Sequence, residues 1–398
     1  MENDMTDPQG PWAAPEDVRE RVSRLLCDLV AIPSYGGQEG EIVQHLVKRF
    51  ARQAIPCRVS ELDGKPINVV AEIGQGPRAV ILKSHVDTVP PGDPALWQTD
   101  PLTPVEKDGR IYGRGAEDAK GCLTAMIVAF EALAARRDRL PVRVILMAVG
   151  AEERGGLGTK LEIANGIRAD AAVVGESTRL VPKLAHKGVL RLEVEVKGKA
   201  AHASDPEAGV NAVVAMAPIV EALDRLAADV RKREDRYTGR ASLVISTIAG
   251  GVALNVIPAS CVISIDRRVL PSETEAQAAE EIVRTVTAAL PTGMGAAVEV
   301  RTVRFVAPSA TAADAAIVRA AEEASSRLLG RPVRADGFTA TCDMTYLVNG
   351  GGIPTVILGP DSIDVAHQVN ECVSIDQMAQ AVALYLEVLR VWAADGDR

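Results

Sequence analysis

The side chains of this 398-residue chain that could hold a cation or move a proton cluster at the ends of apolar runs. "RAVILK" leads into Ser84 and His85, and Asp87 follows two residues later. Asp118 lies in the glycine-rich stretch "GRIYGRGAEDAKG". Glu152 and Glu153 follow "VRVILMAV" in "GAEERGG", Glu176 closes "AAVVGE", and His367 sits in "VAHQVNE", just after "IPTVILGPD". Residues two apart in an extended chain project to one side, so His85 and Asp87 suit a metal ligand with its orienting carboxylate. Taken alone, the pair equally suits a hydrogen-bonded loop. Acids at the mouth of a buried strand are costly unless a positive charge meets them. Carboxylates and imidazoles without thiolate suit zinc, cobalt or manganese.

The elements that must carry these groups follow from apolar patterning. "INVVAEI", "RAVILK", "VRVILMAV" and "AAVVG" read as short strands buried on both faces. Helices are expected after Pro15 (Val18, Val22, Leu25, Leu26 and Leu29 share a face), over about 39–54 and over 119–137. This alternation predicts a three-layer α/β domain with a mostly parallel central sheet. Its donors then lie at the carboxyl ends of the strands, where open α/β sheets bind ligands. From Val189 the texture changes: "VLRLEVEV" alternates strictly, as a half-exposed strand does. A helix (209–230), strands "ASLVISTIAG" and "CVISIDRRV", a helix (273–290) and strand "AAVEVRTV" complete a ferredoxin-like βαββαβ order. Ser272 and Glu275 read as a capping box for the second helix. The α/β texture returns with helices at 312–329 and 375–393. The expected organisation is a larger domain over 1–185 and 305–398, with a smaller α+β domain, 186–304, inserted into it.

Composition sets limits on partners. The formal charge is −9, from 44 basic and 53 acidic residues, and no long basic run occurs, which argues against nucleic acid and anionic membrane. No apolar run approaches the ~20 residues of a membrane helix. The six cysteines form no CxxC pair and read as reduced thiols of a cytoplasmic protein. "MENDMTDPQGPWAAP" reads as a frayed leader, not a signal peptide.

Several stretches together resemble the M20-type co-catalytic metallopeptidases and deacylases, which include acetylornithine deacetylase, succinyl-diaminopimelate desuccinylase, aminoacylase and glutamate carboxypeptidase. They are "SHVDTVPPGDPALWQTDPLTPVEKDGRIYGRGAEDAKG", "GAEERGGLGT", "GEST", "AHASDPEAGVNAV", "NVIP", "DRRVLP" and "GPDSIDVAHQVNE", in the family's order and over nearly the whole chain. The resemblance implies that His85, Asp118 and Glu176 hold one metal and that Asp118, Glu153 and His367 hold the other, with Asp118 bridging. It implies that Asp87 orients His85 and that Glu152 is the general base for a metal-activated water. The resemblance also implies that the larger domain is catalytic and the smaller one a lid and dimerisation domain, whose His202 resembles a histidine that reaches the site of a partner subunit in a homodimer. Arg268 resembles an arginine that holds the substrate carboxylate, and Asn255 another substrate or oxyanion contact. Departures are Ser84 where glycine is usual, Ser177 where proline is common, and "TATCDMTYL" in place of a "GTSD"-type segment, which makes Asp343 a candidate contact only.

The function so implied is hydrolysis of an amide C–N bond in an N-acyl amino acid with two divalent ions, zinc first. "AHKG" and "GVNA" together point to the acetylornithine deacetylase branch. A dipeptidase, carboxypeptidase or specialised aminohydrolase is the alternative within the class. A non-catalytic metal-binding homologue would be favoured had Glu152 or a ligand been lost. A periplasmic-type binding module would need the signal peptide that the leader does not resemble.

Overall fold

The computed structural model describes residues 10–395, so the first nine residues of the expected leader lie outside the described residues. Two compact units are present.

The first unit comprises the chain up to Leu184, Thr311–Asp336 and the chain from Cys342. Its sheet runs in the order 57–62, 65–73, 143–149, 79–85, 171–174, 355–357 and then 183–186. The four strands 143–149, 79–85, 171–174 and 355–357 pair in parallel, with Ala79 opposite Arg143, His85 opposite Val149 and Val80 opposite Ala171. Strands 57–62 and 65–73 add on antiparallel. Every residue of Ala79–His85 is buried, so both sheet faces are covered, as its unbroken apolar run requires. Helix Cys122–Ala134, buried at every position, packs between this sheet and helix Ile375–Ala394. Helices Val18–Val30 and Ala316–Leu329 pack on the same closing helix, while Gly40–Arg52 lies against strand 65–73. The helix expected from 119 starts at Cys122 because residues 116–121 form a wider turn, and the one expected from 312 starts at Ala316. A small sheet joins 105–107, 110–112 and 372–374. Its hairpin turns at Asp108 and Gly109, both at positive φ (52° and 71°), a turn favoured by Asp-Gly.

The second unit, Ala185–Ala310 with residues 337–341, is a four-stranded antiparallel sheet ordered 242–250, 260–269, 188–197, 297–306, with helices Ala212–Val230 and Glu275–Ala289. Leu190, Leu192, Val194 and Val196 meet Ala215, Met216, Ile219, Ile282 and Val286 in its core. The other sheet face carries Arg191, Glu193 and Glu195. Strand 242–250 is an edge, and Val244, Ile248, Val213, Val214, Val252 and Leu254 are exposed on it and beside it. The second helix is not capped at Ser272. Glu273 spends its carboxylate on the Leu270 N–H and on Arg267 and Arg233, so the chain turns helical later. Thr274 and Gln277 make the capping box. Where this unit begins and ends, Ala185 and His186 pair antiparallel with Ala310 and Ser309. Among the described residues no helix is long and apolar enough to cross a membrane.

Candidate metal centre

The parallel strands end on one edge of the first unit, and the acidic and imidazole groups emerge there. His85 is the last residue of strand 79–85. Glu152 and Glu153 leave strand 143–149 after Ala151, whose φ of 57° turns the chain sharply. Glu176 follows strand 171–174. Asp118 sits in the turn before helix 122–134, and His367 lies on the loop leading to strand 372–374, itself at φ 62°.

Two groups of donors form. His85, Asp118 and Glu176 each offer an atom within 4.8 Å of the others, and so do Asp118, Glu153 and His367. Asp118 belongs to both. His85 Nε2 is 3.2 Å from Asp118 Oδ1 and 3.9 Å from Glu176 Oε1, whereas His367 Nε2 is 3.1 Å from Asp118 Oδ2 and 2.8 Å from Glu153 Oε1. The first group is buried and the second half open, with the His367 side chain 51% exposed.

His85 Nδ1 donates to the main-chain oxygen of Asp87 at 2.9 Å. That fixes the proton of the neutral ring on Nδ1 and turns the Nε2 lone pair toward carboxylate oxygens. Acceptors facing one another this closely require a proton or a cation between them. Burial works against a charged His85, yet Asp118 and Asp87 override it and raise its pKa well above the imidazole range. Burial would also raise Asp118, but hydrogen bonds from His367 and His85 hold it well below the usual carboxylate range. Bonds to Asp118 and Glu153 push His367 up to about 10. Burial, opposed by His85 and reinforced by Asp118, pushes Glu176 up to about 8, and its Oε1 has no hydrogen-bond partner. Divalent cations would take the place of these protons, and an all-oxygen-and-nitrogen set fits zinc, cobalt or manganese.

Asp87 does more than face His85. Its Oδ1 is 3.5 Å from His85 Nδ1, and its two oxygens accept the N–H groups of Glu152 and Glu153, each at 3.1 Å. Glu152 belongs to neither donor group. Burial and the charge of Asp343, opposed by His85 and Lys83, keep its carboxyl well above the ordinary range. Asp343, a candidate substrate contact, is 1% exposed, with Oδ2 2.7 Å from Lys83 Nζ and accepting the Thr159 hydroxyl at 2.6 Å. The physical reason is Lys83, a buried counter-ion placed mid-strand.

Glu371, within "VAHQVNE", has a part that spacing did not reveal. Its Oε1 accepts the N–H groups of Glu117 (2.9 Å) and Asp118 (3.0 Å), and Oε2 pairs with Arg114. The loop bearing His367 is thereby tied to the turn bearing Asp118. The available sequence signal was only an acid closing the motif that carries His367.

The remaining expected residues lie on the second unit. His202 is exposed, and its Nδ1 accepts the Ser204 N–H at 3.2 Å, which leaves the proton of a neutral ring on Nε2. The Asn255 carbonyl accepts the Ala203 N–H at 3.0 Å, so His202 and Asn255 stand on neighbouring segments. Arg268 is half-buried, its Nε donating to Asp266 at 2.8 Å, whereas the adjacent Arg267 points into the core toward Glu273.

The chain is 36% identical over 317 residues to an acetylornithine deacetylase of Myxococcus xanthus, covering 78% of this chain and 79% of that one. In fold it resembles an M20 family metallo-carboxypeptidase of Sulfolobus solfataricus (TM-score 0.78, 20% identity, 94% and 99% of the two chains). It also resembles the YXEP protein of Bacillus subtilis, described as a dinuclear metal binding peptidase (TM-score 0.71, 19% identity, 94% and 98%). Its enzyme class is that of a hydrolase. With residues 81–391 matching the model of peptidase family M20/M25/M40, the chain belongs to that family.

Proposed function

We propose that the protein is a dinuclear metal-dependent hydrolase that cleaves the amide C–N bond of an N-acyl amino acid, as an acetylornithine deacetylase does. The observation that carries this reading is the pair of donor groups sharing Asp118, with Glu152 beside them and in neither. The 36% identity to an acetylornithine deacetylase supports the choice of substrate class. His85, Asp118 and Glu176 would hold one ion, and Asp118, Glu153 and His367 the other, with zinc the first choice. When bound, such a pair supplies Lewis acidity that polarises an amide carbonyl and makes water acidic enough to react near neutral pH.

The protein's own residues do the rest. Asp87 orients the His85 ring through its main-chain oxygen and fixes the Glu152 and Glu153 amides through its carboxylate. Glu152 takes the proton of the attacking water and returns it to the leaving amine. Consecutive residues point different ways, so Glu153 can serve an ion while Glu152 faces substrate. From the second unit of a partner subunit, His202 donates its Nε2 proton to the developing oxyanion. Arg268 grips the substrate carboxylate in a two-pronged contact, with Asn255 assisting. The exposed edge strand 242–250 and its apolar neighbours support assembly as a homodimer through the second unit. Six free thiols suit a cytoplasmic protein.

The test is a hydrolysis screen of zinc-reconstituted protein over N-acetyl, N-succinyl, N-formyl and N-carbamoyl amino acids, dipeptides and aromatic amides, run beside Glu152→Gln. N-acyl amino acids should turn over. Glu152→Gln should keep its zinc and lose about 10²- to 10⁴-fold in kcat. Full activity in Glu152→Gln overturns the mechanism, and turnover confined to dipeptides or aromatic amides overturns the substrate class.

A further inference from the structure

Lys83 lies in a strand buried on both faces, and its ammonium meets the Asp343 carboxylate at 2.7 Å with both side chains out of solvent. Such a pair is a poor way to gain stability, because apolar residues of like volume commonly do as well. What the pair touches suggests another use. Asp343 Oδ2 also accepts the Thr159 hydroxyl at 2.6 Å, at the start of helix Leu157–Ala164. Asp343 Oδ1 is buried without a hydrogen-bond partner and lies against Gly156, where a Cβ would stand 2.4 Å from it and 2.0 Å from Tyr346 Cε2. The Tyr346 hydroxyl donates to the Gly155 carbonyl at 3.0 Å. From the other side, Asp87 holds the Glu152 and Glu153 amides. The segment 150–158 is therefore gripped twice, by Asp87 at its acidic end and by Asp343 and Tyr346 at its glycine end.

We propose that the Lys83–Asp343 ion pair, with Tyr346, is a positioning brace that fixes the segment carrying Glu152, an inference that rests on the reading of Glu152 as the proton acceptor. Lys83 holds the Asp343 carboxylate in its seat under Gly156. Without the ammonium, the buried carboxylate would have no counter-ion to hold it beneath the turn, and the glycine turn above it would lose its floor. The departure of "TATCDMTYL" from the commoner segment is the sequence side of this brace, since Asp343 and Tyr346 both come from it.

Four variants test it: Lys83→Met, Asp343→Asn, Tyr346→Phe, and the double Lys83→Met, Asp343→Leu, which removes both charges and keeps the fold testable if a single variant does not fold. Amide hydrogen exchange at 152–158 is read in the metal-free protein, zinc per chain by elemental analysis, and kcat and KM on the wild type's best substrate in the screen above. Each variant that folds should exchange about tenfold faster across that segment, with strand 143–149 unchanged. Each should hold wild-type zinc and lose about 10- to 100-fold in kcat with little change in KM. The double variant should melt near the wild type yet keep both defects. Wild-type exchange and kcat in the double variant overturn the proposal, and so does a fall in zinc that parallels the fall in kcat. A wild type that hydrolyses nothing in the screen removes the reading of Glu152, while the exchange arm still decides whether the brace exists.

Discussion

Replacing Glu371 by Gln should loosen the turn that carries Asp118 and, through it, both donor groups at once. The Glu371 carboxylate is 1% exposed and Arg114 3% exposed. Gln keeps the shape and one acceptor oxygen for the Glu117 and Asp118 amides but removes the charge. Taking one partner from a buried ion pair costs about 3–5 kcal/mol, because the other charge stays behind uncompensated. Arg114 retains the Trp97 ring, 5.1 Å from its guanidinium carbon, a contact worth about 0.5–2 kcal/mol that is already present in the wild type and so offsets little. The expected loss is therefore about 3 kcal/mol or more. Adding Arg114→Met removes the stranded charge and should recover part of it, a coupling of about 1–3 kcal/mol. Urea unfolding of the metal-free protein followed by tryptophan fluorescence measures this on the right unit, because Trp12, Trp97 and Trp392 all belong to the first one. Zinc titration supplies a second reading: both sites should weaken together, since Asp118 belongs to both donor groups. A loss under about 0.5 kcal/mol, or one site weakened with the other intact, would refute the reasoning.

In the metal-free protein, His367 binds its proton more tightly folded (about 10) than unfolded, so this part of the stability is complete below the ordinary imidazole range and fades as pH rises through about 10. Urea midpoints should fall from pH 7 to pH 10, and less so in His367→Gln; equal slopes would remove the assignment. Gly156→Ala should destabilise the first unit by about 2–5 kcal/mol, since φ is 69° and the new methyl would strike Tyr346 and Asp343; a silent substitution would mean the turn is not packed as described. Ile248→Asp, on the exposed edge strand, should shift a homodimer to monomers in sedimentation velocity while changing stability by less than about 0.5 kcal/mol. An unchanged sedimentation coefficient would place any interface elsewhere.

The legible parts of the fold were those where burial dictates residue type. Strand 79–85 shows as an apolar run because both its faces are covered, and "VLRLEVEV" alternates because only one face is. Donors at strand ends could be read in the same way, since an acid directly after a buried apolar run needs a positive charge to meet it. What escaped was set by partners distant in sequence. Lys83 looks like an interruption of a strand until Asp343, 260 positions on, supplies its counter-charge. Glu371 looks like a surface acid until the Glu117 and Asp118 amides are seen to need an acceptor. The hairpin at 105–112 did carry a local signal, Asp108-Gly109 between short extended stretches. The misplaced helix cap had a local cause too: Ser272 and Thr274 are both competent caps, and the ion pairs of Glu273 decided between them.

The paired strands at the mouth of the second unit have a consequence for how such a chain diversifies. Because Ala185 and His186 lie hydrogen-bonded beside Ala310 and Ser309, 122 residues leave and return through an opening one strand pair wide. A span that short is cheap to close with a turn or with a different insert, since closure entropy grows only slowly with length. The unit is thus a replaceable cassette: a gene can exchange it while both candidate donor groups stay in the flanking sequence. A chimaera joining residues 1–186 and 309–398 through a relative's insert should assemble the same donor groups beside a foreign second unit.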